Sequence, residues 1–129
     1  MMLLLVALLA QTVNPVLTPG AIRPLTTQQV CSIKWGLDRR HVTASMKAQV
    51  ERAYSVTVVV ASGKGPCCEI DHRIPRELGG ADDVRNLWPQ DWASAHVKDL
   101  EENQYHKDVC SGTITLQAAQ DYFRHWGQK

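Results

Sequence analysis

The chain contains 129 residues and carries 14 lysines and arginines against 13 aspartates and glutamates. This length accommodates one domain with a modest core and leaves little room for a second. The nearly balanced charge excludes a broadly basic surface, so any contact with nucleic acid has to come from a local group of residues.

The N-terminal segment 1–10, MMLLLVALLA, is wholly apolar. It is much shorter than the roughly 20 residues that a membrane-spanning helix needs. It fits the apolar region of a secretory signal peptide, with Ala10 as a small residue at the cleavage position. We therefore expect an exported protein, periplasmic or secreted, with no stable membrane association once the signal is removed. No lysine or arginine precedes the run, so a cytoplasmic protein with an apolar tail is the alternative.

The segment 11–25 contains three prolines and a glycine, which predicts an extended linker before a domain at 26–129. Thr26 and Gln29 have the spacing of a capping box, which predicts a short helix that ends near Cys31.

The next predicted elements are a helix, a strand and a hairpin. Thr43 can cap a helix that runs to about Tyr54, and the β-branched run 56–60 predicts a strand or an extended segment. Five features follow: a strand within 67–74, a turn at Gly79–Gly80, a short extended segment at 86–89, a helix from about 91–94 to Cys110, and a last helix from Thr115 to about Trp126. This order predicts a small, mostly helical α+β domain.

There are four cysteines, Cys31, Cys67, Cys68 and Cys110. In an exported protein an even number suggests two disulfides. Because neighbouring cysteines rarely bridge each other, we expect Cys31 and Cys110 each to pair with one of Cys67 and Cys68. Free thiols in a reducing compartment are the alternative. No Cys-x-x-Cys pair is present, which excludes a four-cysteine zinc site.

The stretch EIDHRIPRELGGADDVRNLWPQ, residues 69–90, concentrates the residues that can carry chemistry. Asp71 and His72 are neighbours on the predicted strand, and Asn86 precedes the second extended segment. Side chains of neighbours in a regular strand point to opposite faces, so Asp71 and His72 can act together only if the strand twists or bulges, or if the site wraps around its edge. There an aspartate can bind a metal ion, while a free histidine accepts a proton near neutral pH.

This stretch resembles the core of HNH-type homing and phage nucleases, the ββα-metal group. The whole similarity covers about Arg23 to Trp126 and is weaker outside residues 69–90. It includes the Asn-Leu-Trp-Pro-Gln variant of small bacterial and phage proteins. It implies a ββα-metal core at about 67–110 and a metal-dependent endonuclease that cleaves nucleic acid, DNA more readily than RNA. One alternative is a catalytically inactive ββα module that binds nucleic acid or metal. Another is a secreted, disulfide-stapled binding domain.

The resemblance also implies residue roles. His72 matches the general base that activates water, Asp71 matches the metal-binding acid, and Asn86 matches the asparagine that orients the histidine or binds the metal. The third HNH position departs from the family pattern, because His96 and His106 lie ten residues apart on one helix and cannot share an ion. We expect His96, nearer the helix start, to bind the metal, and His106 to be structural and paired with Glu102.

Oxygen ligands from Asp71 and Asn86 favour magnesium or manganese, whereas an imidazole from His96 would also admit zinc or nickel. Three arginines flank the Asp-His pair or its loop and are expected to contact phosphates: Arg73, Arg76 and Arg85. Turn chemistry accounts for Asp82 and Asp83. The sequence makes no prediction about the oligomeric state.

Overall fold

The structure is a computed structural model that describes residues 12–34, 37–56 and 68–127. About half of these residues are helical, and two short strands form one antiparallel sheet, which confirms the α+β class. The predicted signal peptide lies outside the described residues, as does the run 57–60 of the strand predicted after Tyr54.

The described residues contain four α-helices, as predicted: α1 Thr27–Ser32, α2 Ala44–Tyr54, α3 Trp92–Cys110 and α4 Leu116–Arg124. Each begins after a residue whose side chain accepts a hydrogen bond from a backbone N–H of the first turn: Thr26, Thr43, Asp91 and Thr115. These caps satisfy N–H groups that a helix start otherwise leaves without a partner. The last helix ends two residues before the predicted Trp126. None of the helices in the described part of the chain is long and apolar enough to cross a membrane.

The hairpin consists of β1, Glu69–His72, and β2, Leu87–Gln90, paired antiparallel with His72 opposite Leu87. Between them, residues 73–86 form a long loop that contains two 3₁₀ turns, Arg76–Leu78 and Val84–Asn86. Helix α3 begins directly after β2, which is paired with β1. The end of β1, the loop and α3 therefore lie close together.

The predicted Gly79–Gly80 turn lies in this loop, and both glycines are required there. Gly79 has a φ of +86°, a conformation that side chains disfavour. A Cβ on Gly80 would lie 1.8 Å from the carbonyl oxygen of Ile74, a distance no side chain can accept. The glycine pair therefore lets the loop fold back on the end of β1.

The described part of the segment predicted as an extended linker contains a turn at 15–17, and it is not separate from the domain. Three backbone hydrogen bonds of 2.8–2.9 Å join residues 20–23 to loop residues 79–85. Val13 and Thr18 are buried. The described part of this segment thus belongs to the folded unit, and its backbone hydrogen bonds stabilise the loop.

Two apolar clusters hold the helices around the hairpin. Leu78 of the loop packs with residues of α3 and α4, namely Val109, Ala119 and Phe123. On the other side, α2 packs on the strands through Val50, Ile70 and Leu87. These clusters fix the loop and α3 against the end of β1, where the Asp-His pair lies.

The predicted disulfide pairing is wrong, because Cys31 of α1 is bonded to Cys110 of α3 with the Cα atoms 5.7 Å apart. Packing of α1 against α3 brings the C-terminal ends of these helices together, and cysteine spacing along the chain does not reveal this. Cys68 is also disulfide-bonded. Cys67 lies outside the described residues.

We predict that replacing both Cys31 and Cys110 by serine lowers the free energy of unfolding by about 4 kcal/mol, because the bond closes a loop between residues 79 positions apart. Urea denaturation of the oxidised proteins measures this, with Ser32→Ala as a control on the same exposed helix end. A loss below about 1 kcal/mol would show that the bond adds little to the packing of α1 on α3.

Candidate functional site

A pocket of about 590 Å³ opens between the end of β1, the loop, α1 and α3. We call it the Asp-His pocket, because Asp71 and His72 both line it. Six carboxylates line it in all: Asp38, Glu69, Asp71, Glu77, Asp99 and Glu102. The ionisable side chains with nitrogen that line it are Arg40, His72, Arg76 and His106. Its lining therefore carries more negative than positive groups.

His72 is the last residue of β1 and only 5% exposed. Its Nε2 lies 2.7 Å from Oδ1 of Asp82. Burial lowers the pKa of His72 below its ordinary value, although the hydrogen bond with Asp82 opposes this. The imidazole is therefore neutral at neutral pH, as a general base must be.

Asp82 is more than the turn residue that the sequence suggests. Its Oδ2 accepts the backbone N–H of His41 at 2.7 Å, and its Oδ1 accepts from Nε of Arg76 at 3.0 Å. Although partial burial acts to raise the pKa of Asp82, the hydrogen bonds from His41 and His72 lower it overall. An anionic Asp82 accepts the proton on Nε2 of His72, which leaves the lone pair on Nδ1. Among the described residues, none makes a hydrogen bond to that Nδ1.

Asp71 is 8% exposed, and both of its carboxylate oxygens have partners. Oδ1 accepts the backbone N–H of His72 at 2.8 Å, and Oδ2 lies 3.3 Å from Nζ of Lys98. Because β1 ends at His72, the two neighbours line one pocket instead of lying on opposite sides of a continuing strand.

Lys98 of α3 is buried, and its ammonium lies within hydrogen-bonding distance of three oxygens. These belong to the carboxylate of Asp71, the carbonyl of His72 at 2.7 Å, and the carboxylate of Glu102. Although burial opposes it, the charges of Asp71 and Glu102 raise the pKa of Lys98. Burial also raises the pKa of Glu102 to about 7 despite the attraction of Lys98. A charged ammonium therefore lies between the two carboxylates.

Sequence reasoning missed Lys98 and paired Glu102 with His106 instead, although a pattern was present. Ala95, Lys98 and Glu102 are spaced by three and four residues, so they share one face of α3. Ala95 and Lys98 are buried, whereas Val97 and Leu100 of the same helix are 54% and 63% exposed. The polar face of α3 is thus the one that packs on the Asp-His pair, which inverts the usual expectation for an amphipathic helix.

Asn86 is fully buried and contacts the loop backbone. Its side-chain oxygen accepts the N–H of Ile74 at 2.9 Å, and its Nδ2 donates to the carbonyls of Ile74 and Ala81 at 3.0 Å each. Both of its N–H groups are thereby used. The expectation that Asn86 orients His72 or binds a metal therefore needs correction: its contacts position the loop.

The structure does not bring His96 to Asp71. His96 is exposed and lies two residues before Lys98, which places the two about 200° apart around the helix axis. Proximity to the helix start suggested His96, but the rotation of the helix decides which side chains reach β1. His106 does line the pocket, with its Nε2 3.5 Å from the carbonyl of Val30. Glu102 is paired with Lys98 rather than with His106, contrary to expectation.

Two of the three predicted phosphate-binding arginines lie away from the pocket. Arg73 is 3% exposed, and its guanidinium donates to the carbonyls of Thr18 and Arg124. Phosphate cannot reach it, so this expectation is wrong. Arg85 is exposed and pairs with Asp83 at 2.9 Å.

Arg76 does line the pocket, and so does Arg40. Arg76 donates to the carbonyls of Asp38 and Arg39 and to the carboxylate of Asp82, so each of its three guanidinium nitrogens already has a partner. Arg40 is exposed and donates one hydrogen bond of 2.9 Å to the carbonyl of Ile70. Arg40 is therefore the more available contact for an anion.

The predicted metal ligands do not form a metal site. Asp71 is engaged by Lys98, Asn86 by the loop backbone, and His96 lies on another face of α3. Across residues 12–34, 37–56 and 68–127, no group of three or more histidines, cysteines, aspartates or glutamates is arranged to hold an ion. We therefore assign no chemical step to a metal.

No protein-family model matches this chain, and no curated protein or solved structure is significantly similar to it. The resemblance to HNH nucleases thus depends on the residues of 69–90 and their softer flanks alone. Any function has to be argued from the geometry of the Asp-His pocket.

We predict that Asn86→Ala lowers the free energy of unfolding by about 3 kcal/mol or more, because it leaves buried N–H and C=O groups of the loop without partners. Urea denaturation measures the change. Asn103→Ala, at an exposed position of α3, is the matched control and should change stability by less than about 0.5 kcal/mol. Equal effects of the two substitutions would contradict the positioning role.

We also predict that His72 titrates below its ordinary pKa of 6.5, because its imidazole is buried. A folded-state pKa below the unfolded value means that His72 favours the native state above pH 6.5, and that this contribution is lost as the pH falls from 6.5 towards the folded pKa. An NMR titration of the ring C–H signals, assigned with His72→Gln, measures the midpoint. A midpoint at or above 6.5 would refute the prediction.

Proposed function

We propose that the protein is an endonuclease that hydrolyses phosphodiester bonds of nucleic acid, with His72 as the general base. The observation that carries this proposal is the buried pair of His72 and Asp82, which leaves Nδ1 of a neutral imidazole without a partner among the described residues, while His72 lines a pocket of about 590 Å³. A neutral, oriented histidine at a pocket is suited to remove a proton from water.

In this mechanism Asp82 holds the Nε2–H of His72 and so keeps the lone pair on Nδ1. Nδ1 takes a proton from a water molecule, and the oxygen of that water attacks phosphorus in line with the leaving oxygen. The bond between phosphorus and the leaving oxygen breaks, that oxygen takes a proton from solvent, and the imidazolium later returns its proton to solvent. The imidazolium that forms is stabilised by the adjacent carboxylate of Asp82, as in other histidine–carboxylate pairs. General-base catalysis of this kind contributes roughly 10²–10⁴-fold to a rate.

The substrate's phosphate would meet Arg40 at the pocket, since the guanidinium of Arg76 is engaged. The surrounding carboxylates oppose an anion, but several carry raised pKa values. Burial and the nearby Asp71 raise the pKa of Glu69 to about 6, and burial first of all raises the pKa values of Glu77 and Asp99. At a pH near 6, partial protonation of Glu69 removes some of the negative charge at the pocket. The expected dependence on magnesium or manganese stays a prediction, tested by cleavage in EDTA and in each ion.

Two further proposals accompany the function. The order β1, long loop, β2, α3 with an Asp-His pair at the end of β1 supports a ββα core of the HNH type. The Cys31–Cys110 bond supports export, because disulfides persist in oxidising compartments. DNA is the first substrate to try and RNA the second.

The second candidate function is a ββα module that binds nucleic acid without cleaving it. Two observations favour it: Asp71 is occupied by Lys98, and His96 is absent from the pocket. These two features do not affect the general base His72. They do make the metal ligands that the resemblance implied, Asp71 and His96, unavailable for a shared ion.

Plasmid cleavage by the purified protein tests the proposal, with His72→Gln compared with His96→Gln. We expect His72→Gln to lower the nicking rate at least about 100-fold and His96→Gln to change it less than twofold, since of these two histidines His72 lines the pocket and His96 does not. Circular dichroism checks the fold of each variant. Equal rates in wild type and His72→Gln would refute the base. Absence of cleavage on DNA and RNA, with EDTA or any added divalent ion, would favour the binding module.

A further inference from the structure

The ammonium of Lys98 lies where oxygen ligands of the Asp-His pocket converge. We propose that it is the resident cation of the site: it takes the position between Asp71 and Glu102 that a divalent ion would have to occupy, and it thereby limits metal binding there. The consequence for catalysis rests on the proposed function, but the inference itself concerns which cation the two carboxylates hold.

The contacts of Lys98 account for all of its hydrogen-bonding capacity. An ammonium has three donors and no acceptor. Three oxygens receive them, from Asp71 at 3.3 Å, from the carbonyl of His72 at 2.7 Å, and from Glu102. The side chain of Lys98 is 1% exposed, so its ammonium donates to these protein oxygens and not to bulk water. Burial of a charge is tolerated only with such complete pairing.

The same three oxygens form the kind of ligand set that hard divalent cations use. Magnesium, manganese and calcium are bound in proteins by carboxylate and carbonyl oxygens. Here those groups come from two elements, β1 and α3, and they converge on one point. That point holds a positive charge that is part of the chain and cannot diffuse away.

The position of the ammonium is fixed on its other side as well. Lys98 follows Ala95 on the buried face of α3, and its Nζ lies 5.6 Å from the ring centroid of Phe123 in α4. A cation at this distance from an aromatic ring is attracted by the ring's electrons. A divalent ion could bind Asp71 and Glu102 together only after Nζ had left a position that β1, α3 and α4 all stabilise.

Manganese binding, measured by the EPR signal of free Mn²⁺, tests the inference without any cleavage assay. Lys98→Met keeps an unbranched side chain that is one atom shorter and removes the charge, leaving Asp71 and Glu102 available. We expect this variant to bind one Mn²⁺ at least tenfold more tightly than the wild type. Lys107→Met, at an exposed position of the same helix, should bind as the wild type does. Wild-type binding as tight as that of Lys98→Met would overturn the inference.

A second variant keeps the test decisive if the loss of the ammonium weakens folding. Lys98→Met combined with Glu102→Gln removes one negative charge together with the positive one, so the unpaired carboxylates no longer repel each other. We expect it to lose the tighter Mn²⁺ binding of Lys98→Met. Equal binding by the single and double variants would show that Glu102 is not involved and would overturn the inference.

A third measurement uses the wild type alone and decides the matter if neither variant folds. The ¹⁵N signal of the Lys98 ammonium is followed while Mg²⁺ is added to 10 mM, roughly tenfold above the dissociation constant of about 1 mM of the weakest calcium sites in proteins. We expect the signal to stay unchanged. A shift that saturates below 1 mM would show that Mg²⁺ readily displaces the ammonium, which is the opposite of the proposal. A protein without nuclease activity would still give the expected results, so this inference and the proposed function fail separately.

Discussion

The ammonium of Lys98, buried between Asp71 and Glu102, is the interaction on which the rest of the site depends. It joins α3 to the end of β1 through the carbonyl of His72 and so sets the distance between the helix and the Asp-His pair. Removing one partner of a buried ion pair typically costs about 3–5 kcal/mol, because the other charge is left without compensation. The cluster is therefore a constraint on the fold as well as a source of charge in the pocket.

The loop 73–86 imposes the second constraint, since it carries Asp82 to His72. Gly80 permits the close return of the chain on Ile74, and Asn86 ties the two arms of the loop together from inside. The N-terminal segment braces the loop from outside through backbone hydrogen bonds. A rigid loop of this kind can hold a carboxylate at 2.7 Å from an imidazole and keep the base in one orientation.

Local features of the fold could be predicted from the sequence, whereas features that depend on packing could not. Thr26 and Thr43 mark helix starts because a cap is a contact between residues three positions apart. The adjacency of Asp71 and His72 is likewise visible in the sequence. By contrast, the choice between His96 and Lys98 depends on how α3 is rotated about its axis, which is set by its packing on β1.

Packing between distant segments also decides the disulfide pairing and the burial of Arg73. Cys31 meets Cys110 only because α1 packs on α3, and Arg73 is buried only because the N-terminal segment and α4 cover it with their carbonyl groups. Neither fact has a counterpart in local spacing. A search for buried faces that are polar, such as the face of α3 with Lys98, would have come closest to the site.

A crystal structure from metal-free crystals, compared with one from crystals grown with Mn²⁺, tests the central claim most directly. We expect that in both structures Nζ of Lys98 lies within 3.5 Å of Asp71, of Glu102 and of the carbonyl of His72, with no manganese peak between the carboxylates. A manganese ion bound to Asp71 and Glu102, with Lys98 turned into solvent, would contradict it.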